Sequence, residues 1–264
     1  MRTEELGLDT HAAAVMARVL GEESVSRAHV VVSLSGAHAY GFPSPDSDLD
    51  LKAIHLAPTP SLLGLSPVPP THDRAGFVDG VEIDYTSNEL AHALGGILRG
   101  NGNFLERVLG RTAVLESVWL EALRPLVQRS LSRRCHAHYR GFALNQRGEL
   151  AKTPTAKKLL YVLRTSLTGL HLLETGELVV DVRSTAPAHG IGGVEALIER
   201  KRAGERTPLP PPEVRAWDAT IDDILARLDR ARDRSPLPEE APNAPELEAW
   251  LVATRLAALA PAKA

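Results

Sequence analysis

Two aspartates stand two residues apart, shortly after a pair of glycines, and this spacing could support phosphate chemistry. The stretch reads SGAHAYGFPSPDSDLD over residues 35–50, and it contains Gly36, Gly41, Asp48 and Asp50. A glycine turn lets backbone N–H groups approach a polyphosphate because no Cβ stands in the way. Carboxylates at positions i and i+2 of a strand point to one face, where they repel each other unless a cation lies between them.

Magnesium is the cation that this carboxylate pair predicts. It prefers oxygen ligands and leaves room for substrate phosphates and water, and two ions would clamp the attacking and the leaving oxygen. A third carboxylate is expected on residues 81–85, where Glu82 and Asp84 share one face of an alternating strand. Both are candidates. We favour Asp84 because a shorter side chain has less rotamer freedom to lose.

The elements that must position these residues come from hydrophobic periodicity. The pattern predicts a helix near the N-terminus and then strands at 30–34, 47–55 and 81–85. Five prolines make residues 57–70 a loop. Further helices are predicted over 87–99, with Ser87 as the N-cap, and over 104–109.

Beyond about residue 115 the spacing of leucines predicts one helix after another. These helices are expected over 118–131, 137–150, 155–175, 193–202, 212–232 and 245–258. The sequence therefore predicts an α+β fold, with a catalytic domain at 1–115 followed by an all-helical bundle domain at 116–264.

Charge is unevenly distributed along the chain. The whole sequence has 30 Lys and Arg against 33 Asp and Glu, a net charge of −3, which excludes a polycation that coats nucleic acid. Residues 131–174, here called the basic belt, hold eight Lys or Arg and two Asp or Glu, a net charge of +6. One face of the 155–175 helix is predicted to be core and the other cationic. An acceptor- or phosphate-binding surface is predicted on the belt, and the alternative is an ordinary solvated face. The residues of the predicted surface are Arg140, Lys157, Lys158, Tyr161 and Arg164.

Composition also bears on the compartment. The single cysteine, Cys135, cannot form an internal disulfide, and the charged N-terminus lacks the apolar run of a secretory signal. No apolar run reaches the 18 residues of a membrane-spanning helix. A cytoplasmic protein without a membrane partner is therefore expected.

The spacing G-x4-G-x5-S-D-x-D, from Gly36 to Asp50, resembles the signature of the DNA polymerase β-like nucleotidyltransferase superfamily. The segment SGAHAYGFPSPDSDLDL is similar to the corresponding segment of the predicted bacterial nucleotidyltransferases called YcgL-like, whose glycine turn usually has the sequence SGSHAYG. Further likeness lies in RGNGNFLE, YRG and AKKLLY, at residues 99–106, 139–141 and 156–161. The resemblance is strong at 33–56, looser at 81–178, and covers most of the chain.

This resemblance implies a small mixed sheet with a helical bundle behind it. It also implies transfer of a nucleoside monophosphate from an NTP, such as ATP, with release of pyrophosphate. Asp48, Asp50 and Asp84 would be the catalytic metal ligands. The nucleotide would be bound by the turn and the loop after it, through Ser35, Gly36, Ala37, His38, Gly41 and Ser47. The basic belt favours RNA or tRNA as acceptor, ahead of a protein hydroxyl (AMPylation) and an aminoglycoside-type small molecule.

One position of the turn departs from the family pattern. The residue after the first glycine is usually serine, whose hydroxyl helps to hold the triphosphate, and here it is Ala37. Ser35 or Ser47 could supply that hydroxyl. Otherwise the enzyme is slow or altered, or the chain is a nucleotide- or RNA-binding module that kept the fold and lost turnover.

Overall fold

A five-stranded mixed sheet forms the N-terminal part of the molecule in a computed structural model that describes residues 8–204 and 207–259. The strand order is β3-β4-β2-β1-β5, with β2 parallel to β4 and the other neighbours antiparallel. The strands are β1 Ala28–Leu34, β2 Leu49–Leu56, β3 Thr71–Val78, β4 Val81–Glu89 and β5 Ala113–Glu116. The predicted α+β fold with a small mixed sheet is therefore confirmed.

Five helices accompany the sheet. They are α1 Thr10–Ser24, α2 Gly36–Tyr40, α3 Thr59–Leu62, α4 Leu90–Leu98 and α5 Gly102–Leu109. Helix α1 begins at the N-cap Asp9, whose carboxylate accepts a hydrogen bond from the Ala12 N–H. Its apolar side chains, Met16 and Val19 among them, pack against one face of the sheet. The other face is covered by α4 and α5 and by helices that follow β5.

The C-terminal part is helical, as predicted. Its helices are α6 Val118–Arg129, α7 Cys135–Lys152, α8 Ala156–Thr175, α9 Val182–Ala188, α10 Val194–Ala203, α11 Pro211–Arg234 and α12 Ala244–Ala257. One apolar cluster joins Val31 and Ile54 of the sheet to Leu159 and Leu163 of α8. The predicted division at residue 115 stays a prediction. Among the helices of the described residues, none combines the length and the apolarity needed to cross a bilayer.

Helix α8 differs from the amphipathic helix that the sequence predicts. It begins at the N-cap Thr155, ends at the left-handed Gly176, and is buried on most of its surface. Arg164, which is predicted on the cationic face, is only 5% exposed. The neighbouring helices α7, α9, α10 and α11 cover that face. The hydrophobic pattern within one helix does not show how many other helices pack against that helix.

Two other sequence predictions differ from the structure. Ser87 is not a helix N-cap, because β4 continues beside β2 through Glu89 and the Ser87 hydroxyl meets His55 Nδ1 at 2.7 Å. Glu89 caps α4 instead. The edge strand β3 was missed because none of its side chains is buried and half of them are exposed, so no alternation marks it. Its hairpin with β4 turns at Asp79 and Gly80, which both have positive φ, as an Asp-Gly turn requires.

Candidate functional site

The glycine turn begins where β1 ends and is held directly against β2. The Ser35 N–H donates to the Asp50 carbonyl at 2.9 Å. Gly36 has φ 60°, and a Cβ there would collide with the Asp50 carboxylate. Glycine is therefore required at this position by both conformation and space. Ala37 follows in the first turn of α2 and is 4% exposed.

The predicted carboxylates come together on β2 and β4. Asp50 and Asp84 are direct partners in the parallel register of these strands. Lys52 lies between them, with Nζ 2.8 Å from Asp84 Oδ2 and 3.8 Å from Asp50 Oδ1. The side chain of Asp50 is 17% exposed, whereas that of Asp84 is 48% exposed. The alternative candidate, Glu82, lies two residues earlier on β4 and is exposed.

The electrostatics of this pair show an excess of negative charge. Burial, together with the nearby carboxylates of Asp48 and Asp84, raises the pKa of Asp50 from 3.8 to about 6, although Lys52 opposes the rise. One ammonium therefore does not balance the carboxylates around Asp50. A cation at this place would relieve the repulsion.

The donor set fits magnesium with the help of a substrate. Within the ranges that the structure describes, no group of three His, Cys, Asp or Glu side chains is arranged to hold a metal ion. Magnesium usually binds one or two carboxylates together with phosphate oxygens and water. Asp50, Asp84 and the neighbouring Asp48 supply only oxygen ligands, so they match this mode, provided that phosphates complete the shell.

A cavity of about 200 Å³ extends from the sheet to the helices of the C-terminal part. Its lining includes Ser35 and Lys52, which contact Asp50 and Asp84, so we call it the carboxylate cavity. The helices contribute Asn103, Glu106 and Arg107 from α5, His138, Phe142 and Gln146 from α7, and Tyr161 and Arg164 from α8. The predicted residues Ser35, Tyr161 and Arg164 thus share one cavity, whereas Lys157, Lys158 and Arg140 do not line it.

Arg164 and Tyr161 contact the glycine turn itself. Arg164 pairs with Glu106 at 2.8 Å, and its guanidinium lies 3.3 Å from the centre of the Tyr40 ring. Burial lowers the pKa of Arg164, but Glu106 outweighs burial, so the guanidinium stays charged. The Tyr40 hydroxyl meets Ser35 Oγ at 2.9 Å, and Tyr161 packs edge-on against Tyr40. We call Tyr40, Glu106, Tyr161 and Arg164 the turn clamp, because they fix the turn against α5 and α8.

Residues of α10 and of the start of α9 contact the loop at 41–47, which leads to the aspartates. Lys201 is fully buried, and its Nζ donates to Ser44 Oγ at 2.6 Å and to Ser47 Oγ at 3.3 Å. Gly41 has φ 90°, and a Cβ there would collide with the Asp181 carboxylate. Ser47 is therefore engaged within the loop, while Ser35 faces the cavity. Sequence reasoning missed Lys201 and Asp181 because only the fold brings them to the loop.

The basic belt is largely paired with acidic groups. Arg140 Nε lies 2.8 Å from Asp229 Oδ1, and Arg147 Nη1 lies 2.6 Å from Asp222 Oδ1, both partners being on α11. Lys158 Nζ donates to a backbone carbonyl of α7 at 3.0 Å, and Lys157 is half-buried in the first turn of α8. The net charge of +6 counted from the sequence of the belt is therefore larger than the positive charge that is available to bind a partner.

His38 lies away from the carboxylate cavity. It lines a second cavity, of about 460 Å³, together with Arg111 and Arg183. Its predicted contact with the nucleotide stays a prediction.

Comparison with known proteins relates the chain to a protein family, to a relative and to a solved structure. Residues 9–253 match the family described as RNA repair pathway DNA polymerase beta family. Uncharacterized protein MJ0002 of Methanocaldococcus jannaschii is 27% identical over 157 residues, which are 59% of this chain and 64% of that protein. The crystal structure of a nucleotidyltransferase-like protein from Exiguobacterium sibiricum 255-15 has 13% identity and a TM-score of 0.34, and the match covers 84% of this chain and 74% of that one.

Proposed function

Because the chain belongs to the RNA repair pathway DNA polymerase beta family and is thus a polymerase β-like nucleotidyltransferase, we propose that it transfers a nucleoside monophosphate from an NTP to RNA. The acceptor is the end of an RNA or tRNA molecule, and pyrophosphate is released. The observation that carries this proposal is that Asp50 and Asp84 lie side by side, next to a glycine turn in which a Cβ at Gly36 would collide with the Asp50 carboxylate.

Asp48, Asp50 and Asp84 are the residues that would hold magnesium, as two ions shared with the triphosphate. When bound, magnesium would supply positive charge to the phosphate oxygens on which negative charge develops. The raised pKa of Asp50 supports this role, since an unbalanced carboxylate has most to gain from a cation. We assign the third ligand to Asp84 rather than Glu82 because Asp84 is the direct strand partner of Asp50.

The other groups of the turn bind and orient the nucleotide. The backbone of the turn from Ser35 to Gly41 lies against the phosphates, and Ser35 replaces the hydroxyl that Ala37 lacks, since Ser35 lines the cavity. Lys52 neutralises Asp84 until the substrate arrives. In the reaction an acceptor hydroxyl gives up its proton to solvent and attacks the α-phosphorus, the bond between the α-phosphorus and the oxygen that bridges to the β-phosphate breaks, and pyrophosphate leaves. Asp84, the more exposed carboxylate, lies towards the acceptor.

The family description supports RNA as the acceptor, because it names an RNA repair pathway. The paired state of the basic belt weakens the argument that its surface provides the RNA-binding site. A protein hydroxyl or a small molecule remains an outcome of the test rather than a competing proposal.

A second candidate function rests on two specific observations. Ala37 lacks the usual hydroxyl, and Lys52 already pairs with Asp84. Both are features of a nucleotide- or RNA-binding module without turnover. Release of pyrophosphate separates the two candidates, because only the transferase breaks the bond between the α- and β-phosphates.

The experiment is a scan of the four NTPs, each labelled at the α-phosphate, with magnesium and the purified protein. Total RNA, total protein and a small-molecule extract are offered as separate acceptor pools. We expect label in the RNA pool together with pyrophosphate. Label in another pool would move the acceptor to that class, and no label or pyrophosphate in any pool would favour the binding module.

A further inference from the structure

Three side chains of α7 form a stripe along one wall of the carboxylate cavity. His138, Phe142 and Gln146 follow one another at steps of four residues, so they lie on one face of the helix, and all three line the cavity.

The first two residues of the stripe form an aromatic platform. The rings of His138 and Phe142 are stacked, with centroids 5.6 Å apart and an angle of 10° between their planes. Burial lowers the pKa of His138, so its ring is neutral at pH 7. Phe142 is 43% exposed, which is unusual for a large apolar side chain on a cavity wall. Aromatic faces of this kind stack nucleobases irrespective of their sequence.

The third residue of the stripe carries an unused polar group. The amide oxygen of Gln146 is buried and has no hydrogen-bond partner, and the same is true of Nε of Arg164 on the same cavity. Buried polar atoms are normally paired, since an unpaired one is costly. The last torsion of a glutamine side chain is broad, so the amide can turn to meet a ligand in the cavity.

We propose that His138, Phe142 and Gln146 form a nucleobase subsite, in which an adenine ring stacks on Phe142 and Gln146 reads its edge. A glutamine amide presents one acceptor and one donor, which match the exocyclic amine and the neighbouring ring nitrogen of adenine. The cavity volume of about 200 Å³ lies below the range of sites that enclose a whole small-molecule ligand, so it suits one base.

This inference rests on the proposed function, because Ser35 and Lys52 connect the same cavity to the carboxylates. The adenine can belong to the NTP or to the terminal nucleotide of the acceptor RNA. Both carry the same hydrogen-bonding edge, so the experiment has one arm for each source.

The test measures equilibrium binding rather than turnover. The probes are ATP, GTP, CTP and UTP in one arm, and two short RNA strands that differ only in a terminal A or U in the other. The variants are Gln146→Leu and the matched control Asn145→Leu, an exposed amide on the same helix that does not line the cavity. Phe142→Leu tests the platform.

We expect the wild type to prefer the adenine-bearing probe about tenfold in one arm. Gln146→Leu should remove that preference without lowering the melting temperature, since the amide oxygen has no partner to lose. Asn145→Leu should keep the preference, and Phe142→Leu should weaken binding of all bases alike. The arm that shows the preference identifies the carrier of the base.

Two results would overturn the subsite. One is a wild type without base preference in either arm, and the other is a preference that Gln146→Leu leaves unchanged. Failure of the proposed function is distinguishable, because it appears as absent pyrophosphate release even where the adenine preference and its loss in Gln146→Leu are observed.

Discussion

The carboxylate pair and the basic belt are both concentrations of like charge in the sequence. In the folded protein the carboxylates lie together, whereas the basic side chains are mostly paired with acidic ones. Asp50 and Asp84 are brought side by side, and a single ammonium, Lys52, lies between them. Most arginines of the belt are separated and have carboxylate partners, as Arg140 has Asp229. Unbalanced charge therefore remains at the carboxylates, and this difference supports our proposal that they are the chemical centre of the molecule.

The largest expected effect follows from removing one carboxylate of the pair. Asp50→Asn should lower nucleotidyl transfer at least about 100-fold, because the group that binds the cation is lost. Label transfer from an α-labelled NTP measures the effect. Glu82→Gln is the matched control, since Glu82 is an exposed carboxylate on β4, and it should keep nearly full activity. Full activity of Asp50→Asn would remove this residue from the site.

The second effect tests the one arginine of the belt that is buried. Glu106→Gln should lower the free energy of unfolding by about 3–5 kcal/mol, because Arg164 would be left charged and buried without its partner. Asp229→Asn, opposite the 40% exposed Arg140, should cost only about 0–1 kcal/mol. Denaturant unfolding of both variants measures the difference. Equal losses would mean that burial does not distinguish the two pairs.

The third effect is a pH dependence of stability in the absence of metal. The pKa of Asp50 rises from 3.8 to about 6 on folding, so the folded state holds its proton more tightly than the unfolded chain. Asp50 therefore destabilises the fold increasingly from pH 4 to pH 6 and constantly above, by up to about 3 kcal/mol. Asp50→Asn should match the wild type below pH 4 and be more stable above pH 6. A constant difference across this range would contradict the assignment.

The smallest effect concerns an exposed arginine of the belt. Arg140→Ala should change the salt dependence of RNA binding by less than one phosphate contact, a slope of about 0.7 in log affinity against log salt, because Asp229 already engages the guanidinium. Fluorescence anisotropy with a short RNA at several salt concentrations measures the slope. A loss equal to one or more contacts would restore the belt as the RNA-binding surface.

The strands around the site could be predicted because their information is local. Alternation on residues 47–55 and 81–85 shows which side chains share a face, and the parallel register then brings Asp50 to Asp84. The spacing of the two glycines can also be recognised from the local sequence. The reason why residue 41 must be glycine cannot, because Gly41 leaves space for the carboxylate of Asp181, the N-cap of α9.

The partners of these residues could not be predicted in the same way. Glu106 meets Arg164 across 58 positions of the chain, and Lys201 meets Ser44 across 157. No periodicity encodes such contacts, because they depend on how helices pack rather than on the helices themselves. The charge of residues 131–174 was misleading for the same reason, since the counter-charges of Arg140 and Arg147 lie on α11 and that of Arg164 lies on α5.

The most direct test of the account follows the two ends of one triphosphate. The protein, magnesium and RNA are incubated with an NTP labelled at the α-phosphate or, in a parallel reaction, at the γ-phosphate. Nucleotidyl transfer predicts that the α-label joins the RNA and that the γ-label leaves as pyrophosphate in equal amount. A γ-label that joins the RNA, or one that is released as inorganic phosphate while the α-label stays on a free nucleotide, would contradict it.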